Sequence, residues 1–432
     1  MTSSVLRRAV VVGSVALAAL VGGACNEHLD SGAACPSLCP GLSVPIKDTT
    51  LSPVLAWDTT LVGFPSIGTE SGLPLASRGD TLDVRGIIRF DSLTRVFTPT
   101  SDTSADTLTN VTRVDTAILR MRLNLTGSRL PAWVRFEVYD VDTTADDNDV
   151  AAVLKTFRQD RFVVSRTLQR AEITDSLVFA LPSAWLLNKI TTGAAARVGL
   201  RLVGAGPVSL MVHTTETGLP AEIRYYVSAD TSVHQVIINP YSKTPTEPAS
   251  LANDYRDYIA VARNTLPALG AQTFSTGGMP ARRSYLKFNI PQWMLDSTTI
   301  VRATLQLTQA PQRGFDAADT VVVFGQAVGA AERITDLTRS AQILLTQGLF
   351  VTDSIRVAPA DSGVRTLEMN SLIGVWKASD TSSVRPQRAV VLLQREEGLH
   401  GAEVRFFNAK APAAVRPRLR VSYIPKITFG AP

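Results

Sequence analysis

Histidine is scarce in this chain of 432 residues: His28, His213, His234 and His400 are the only four, and no two of them stand at metal-ligand spacing. That pattern leaves no zinc motif. A Gly-x-Ser-x-Gly elbow, a phosphate loop and a dinucleotide fingerprint are missing as well, so no local signature speaks for catalysis. Only a triad assembled from distant residues would support an enzyme, which is the third reading. Long Glu/Lys-rich helical runs are absent while Thr, Val, Ser and Asp are frequent, which points to β structure. Basic clusters are absent too. The formal charge is +5, two units of it from Arg7 and Arg8 near the start, and the other Lys and Arg residues alternate with apolar ones along the chain. A pI near 9.2 without a basic stripe is not the footprint of a nucleic-acid binder, and no nucleic-acid partner is expected.

Cysteine is nearly absent, and all three copies lie early. Arg7 and Arg8 precede an apolar run over residues 9–21, and Gly22-Gly-Ala-Cys25 follows. This is the order of a secretory signal, and the run is short for a spanning helix of about 20 residues. The competing reading is a retained membrane anchor. Cys25 directly after small residues resembles the lipobox of bacterial lipoproteins. The resemblance implies acylation of Cys25, a mature chain that starts there, and, with Asn26 rather than Asp next, an outer-membrane or surface location. Several acyl chains anchor stably because each buried methylene contributes about 0.8 kcal/mol. Cys35 and Cys39, in Cys-Pro-Ser-Leu-Cys, read as a local disulfide in an oxidising compartment, since zinc would need two more ligands. Residues 26–50, rich in Gly, Pro and Ser, read as a tether.

The rest of the chain carries one frame twice. Arg85-Gly-Ile-Ile-Arg-Phe-Asp91, Val114-Asp-Thr-Ala-Ile-Leu-Arg-Met-Arg-Leu123 and Pro220-Ala-Glu-Ile-Arg-Tyr-Tyr-Val227 recur as Arg283-Ser-Tyr-Leu-Lys-Phe-Asn-Ile290, Ile300-Val-Arg-Ala-Thr-Leu-Gln-Leu-Thr308 and Pro417-Arg-Leu-Arg-Val-Ser-Tyr-Ile424. Within residues 117–125, Leu119, Met121, Leu123 and Leu125 share one face and Arg120, Arg122 and Asn124 the other, the period of a half-buried strand. Turns of Gly, Pro, Asp and Thr separate further short strands. The expected architecture is all-β: two tandem antiparallel β-sandwich modules, jelly-roll-like, after a signal peptide and a short tether. The boundaries are 1–24 for the signal peptide, 25–50 for the tether, 51–229 and 230–425 for the modules, and 426–432 for a tail. An amphipathic helix is expected over residues 334–347.

The order of these elements resembles that of the DNRLRE-type domain and of family 96 carbohydrate-binding modules. The second half carries the resemblance in Leu286-Lys-Phe-Asn289, Ala303-Thr-Leu-Gln-Leu307, the approach to Trp376, and Pro417-Arg-Leu-Arg-Val-Ser-Tyr423; the first half is a weaker copy with Asn188 at the position of Trp376. It implies a non-catalytic lipid-anchored envelope protein that binds polysaccharide or another envelope component. The alternative is a structural lipoprotein that binds a protein partner through exposed strand edges.

Two local features bear on a site. Asp140, Asp142, Asp146, Asp147 and Asp149 crowd one stretch, where packed oxygen ligands suit calcium, although a solvated loop explains the same composition. No other cofactor is expected. Among Trp57, Trp133, Trp185, Trp293 and Trp376, which fill a core or stack on sugar rings, Trp293 beside Pro291 at a strand end is the expected exposed platform. The turn 274–280, with Gly277-Gly278, is either a binding edge or ordinary turn chemistry.

Overall fold

The alternating stretch around Leu119 becomes the strand Thr116–Arg129, with Ala117, Leu119, Met121 and Leu123 all buried and the arginines between them half-buried. Each apolar side chain removed from water there contributes up to about 1.5–3 kcal/mol, an upper bound because the unfolded chain is itself partly compact. The same physics sets the remaining strands. The computed structural model describes residues 46–53, 59–64, 72–98, 108–142, 149–229, 232–243, 256–264, 268–312, 319–328, 351–378, 388–398 and 401–426. Cys25, Cys35, Cys39, Asp146, Asp147, Trp57 and the helix expected over 334–347 lie outside them.

Strands β1 (Lys47–Leu51) and β2 (Thr59–Phe64) come first. The first half continues with β3 (Leu73–Arg78), β4 (Leu82–Phe90), the short pair β5 (Val96–Phe97) and β6 (Thr109–Asn110), β7 (Thr116–Arg129), β8 (Trp133–Asp140), β9 (Phe162–Gln169), β10 (Ser176–Leu181), β11 (Ala196–Gly204), β12 (Val208–Val212) and β13 (Glu222–Ala229). After β14 (Ser232–Ile238) and β15 (Tyr258–Asn264), the second half has β16 (Thr273–Gly277), β17 (Ala281–Lys287), β18 (Thr298–Ala310), β19 (Val321–Val328), β20 (Val351–Val357), β21 (Gly363–Glu368), β22 (Ala389–Gln394), β23 (Glu403–Phe407) and β24 (Arg418–Pro425). Among the described residues four short α-helices interrupt them: α1 (Val150–Leu154), α2 (Ser183–Thr192), α3 (Gln292–Asp296) and α4 (Asn370–Ala378).

The fold is all-β, with two large curled antiparallel sheets that form two β-sandwich modules. The pairing order is the same in both. Module one runs β14-β13-β7-β12-β3-β4-β11-β8-β9, with β10 also on β7 and β15 also on β4. Module two runs β1-β24-β18-β23-β16-β17-β22-β19-β20, with β21 also on β18 and β2 also on β17. Element by element the two lists correspond, and even an isolated bridge recurs: Phe90 meets Tyr241 in one and Phe288 meets Pro53 in the other.

The correspondence exposes a difference in how each sheet is completed. Module one takes β14 and β15 from the chain that follows β13; Tyr258 lies opposite Ile88 and Ile259 opposite Ile87. Module two takes β1 and β2 from the start of the chain; Leu61 lies opposite Arg283 and Thr59 opposite Tyr285. Sheet membership therefore crosses the expected cut between residues 229 and 230 in both directions. Composition carries no sign of this, because a strand's partner is set by non-local pairing and not by its own residues.

By contacts the chain divides into a small unit, residues 1–49, 291–302 and 421–432, and a large one, residues 50–290 and 303–420. In the small unit the Trp293 and Tyr423 rings meet edge-to-face at 5.6 Å, the Ser422 hydroxyl bonds Asp48, and Lys426 Nζ donates to the Asp296 carbonyl. The large unit holds the main hydrophobic cores. The largest buries Leu73, Ile88, Phe90, Leu119, Phe136 and Phe179 with many neighbours; another joins Tyr285, Val328, Val391 and Leu393, with Leu61 of β2 packed on it. At the tight β16–β17 turn Gly277 has φ +88°, and a Cβ there would meet Gln394 Oε1 at 2.6 Å, so Gly277-Gly278 serves the turn.

Candidate functional site

Two helices stand at equivalent places in the repeat, and the one in module one borders a cleft. Helix α2 starts after Pro182 and stops at Gly193, whose φ of +71° provides the left-handed C-terminal residue. Leu186 and Ile190 anchor it in the core. Trp185 and Lys189, four residues apart, share another side of the helix and both reach Asp140 at the end of β8: the indole Nε1 donates to Oδ2 at 3.1 Å, and the ammonium lies 2.9 Å from the same oxygen. In α4 the corresponding apolar run goes inward, with Leu372, Ile373 and Trp376 buried and Trp376 only 2% exposed. Trp376, which carries part of the family resemblance, is core.

The opposite wall is built by the start of β9. A single helical turn, Gln159–Arg161, carries Asp160 and Arg161 into Phe162, and a register shift between Val138 and Tyr139 sets Phe162 opposite Tyr139, with the rings edge-to-face at 5.8 Å. Phe162 remains 37% exposed although its neighbours are strand residues of a sandwich. Arg161 Nη1 donates to the Asp142 carbonyl at 2.6 Å. Together Asp140, Asp142, Arg161, Phe162, Trp185 and Lys189 line a cleft of about 370 Å³, with Asp160 and Val163 at its edge.

The charges inside are ordered by one another. Lys189, with its side chain 10% exposed, also lies 3.7 Å from Asp142; Arg197 approaches Asp142 at 3.8 Å and bonds the buried Asp91 at 3.1 Å. Fixed ions of both signs beside two aromatic rings form a rigid polar wall that can both donate and accept hydrogen bonds. That combination suits a ligand with many hydroxyl groups and an apolar face.

Of the acidic residues expected to hold calcium, Asp140 and Asp142 meet Lys189 and Arg197, and Asp149 caps α1 by accepting from the Ala152 amide at 3.0 Å. Among the described residues no group of three or more His, Cys, Asp or Glu is arranged to hold a metal. Trp293 is half exposed on α3, edge-on to Tyr423, and lines neither this cleft nor the larger one formed by β3, β12 and their neighbours. Sequence reasoning missed Lys189, Arg161 and Phe162 and passed over Trp185. The spacing of Trp185 and Lys189 after a proline was a readable signal for a helix with both on one side.

No family model and no curated protein matches the chain. Among solved structures, a crystal structure of tandem family 51 carbohydrate-binding modules from a family 98 glycoside hydrolase of Streptococcus pneumoniae is 9% identical, with 88% of this chain and 100% of that one covered and a TM-score of 0.12. A likeness at that score carries no argument about this chain, and the functional reading rests on the cleft.

Proposed function

We propose that the chain is a non-catalytic carbohydrate-binding protein of the bacterial cell envelope, lipid-anchored through Cys25 at the outer membrane or cell surface, whose module one binds polysaccharide in the Trp185 cleft. The observation that carries this reading is the pairing of an exposed ring, Phe162, and a partly buried indole, Trp185, with the fixed ions Asp140, Lys189 and Arg161 in one 370 Å³ recess. A sugar ring offers hydroxyls to the ions and its apolar face to the rings. Trp293, half exposed on the small unit, supplies a platform for a sugar or for a protein partner. The test is a glycan array probed with the full chain and with Phe162→Ala and Trp185→Ala. Binding of at least one neutral glycan that falls about fivefold or more in both variants supports the site, given that stacking contributes about 1 kcal/mol per ring. No bound glycan at high micromolar protein, or binding that both variants retain, overturns it.

A further inference from the structure

The large unit has a second, wider recess of about 1080 Å³, lined by parts of β3, β7 and β12 and by β19, β20 and the end of β22. Its lining is rich in arginine. Arg356 of β20 lies directly opposite Val322 of β19, and on the other side of Val322 the Arg395 amide donates to the Val322 carbonyl at 2.9 Å. Residues directly opposite across a sheet present side chains on one face, so Arg356, Val322 and Arg395 form a row whose guanidinium stems stand two strand spacings apart, about 10 Å. Both arginines are exposed, and Arg395 is held by a 3.2 Å bond to the Ser354 hydroxyl. Across the recess, Arg78 and Arg129 approach the same carboxylate, Asp319, at 2.7 and 3.8 Å. Glu396 is the other acid in the lining, so four guanidinium groups face two carboxylates.

We infer that this recess binds an acidic polysaccharide, whose repeated carboxylates are taken by Arg356 and Arg395, while Val322 between them packs against the sugar backbone. A guanidinium pairs with a carboxylate through two parallel hydrogen bonds, and two such groups on a rigid row select a ligand with repeated anionic groups over one with a single charge. This inference rests on the carbohydrate-binding reading and adds a charge preference at a place distinct from the Trp185 cleft.

The test uses the full chain and its R356A/R395A double variant, with polygalacturonate, a neutral β-glucan, anionic vesicles and duplex DNA as probes at low and high salt. The expected result is polygalacturonate binding that weakens with salt and falls about tenfold or more in the double variant, while any neutral-glycan binding and the melting temperature stay unchanged. Arg356→Lys with Arg395→Lys keeps the charge, and only partial rescue is expected. Neutral-glycan binding without acidic-glycan binding overturns this inference alone and leaves the Trp185 cleft standing. Equal binding of DNA or vesicles means a general polyanion surface and overturns it as well, as does polygalacturonate binding that the double variant retains.

Discussion

Modules one and two pair their strands in the same order, yet one is continuous in the chain and the other is not. Residues 72–264 contain every strand of module one, including the two that complete it. Module two needs residues 268–425 together with β1 and β2 from the start of the chain. Repetition of a fold therefore does not fix which copy of a strand fills a given edge. A sheet edge with unpaired amides accepts whichever equivalent strand the connections deliver. β1, the first described strand, belongs to the sheet of module two and not to that of module one.

The same comparison can be broken by experiment. Deleting residues 46–64 is expected to have the largest effect: it strips two strands and Leu61 from module two and should remove that module's unfolding transition, with module one's transition kept in calorimetry. Loss of both transitions would contradict the asymmetry. Next in size, Trp376→Ala should cost about 4 kcal/mol in denaturant titration, because it empties a fully packed site in module two. Trp185→Ala, at a partly exposed site on the equivalent helix α2, should cost clearly less.

In module one, Lys189→Ala should cost about 3 kcal/mol, since it leaves Asp140 and Asp142 without the ammonium they share. A smaller effect is expected from Tyr258→Phe, about 1–2 kcal/mol, because the Tyr258 hydroxyl accepts from the buried Ala221 amide at 2.7 Å and so ties β15 to the segment before β13. The alkaline limit should be shared. Burial raises the pKa of Tyr258 and Tyr285 well above 10, and pushes Tyr225 up to about 12. Each hydroxyl is favoured in its neutral form by folding, so its contribution is complete below pH 10 and is lost as pH rises from 10 toward the folded value. A phenolate absorbance titration should show these tyrosines ionising only on unfolding.

How far the sequence disclosed this molecule depends on the kind of information. Strands with strict alternation, such as the one bearing Leu119, Met121 and Leu123, were legible because burial on one face imposes a period of two. The helices α2 and α4 are short, and the four-residue spacing of Trp185 and Lys189 after Pro182 is the local cue to α2. The place of β1 and β2 in module two was illegible, since pairing across more than two hundred residues leaves no local mark. The site divides likewise. Asp140 and Asp142 stood out as a dense acidic stretch, but their ion-pair partners Lys189 and Arg197 are distant in sequence. Phe162 gave no signal, because its exposure follows from a register shift at Tyr139.

The most direct measurement combines both halves of the account: express residues 72–264 alone, follow unfolding by circular dichroism, and titrate it with the glycan found for the full chain. The expected result is a single cooperative transition, with binding that matches the full chain and is lost in Trp185→Ala. An unfolded fragment, or a folded one that does not bind, would contradict it.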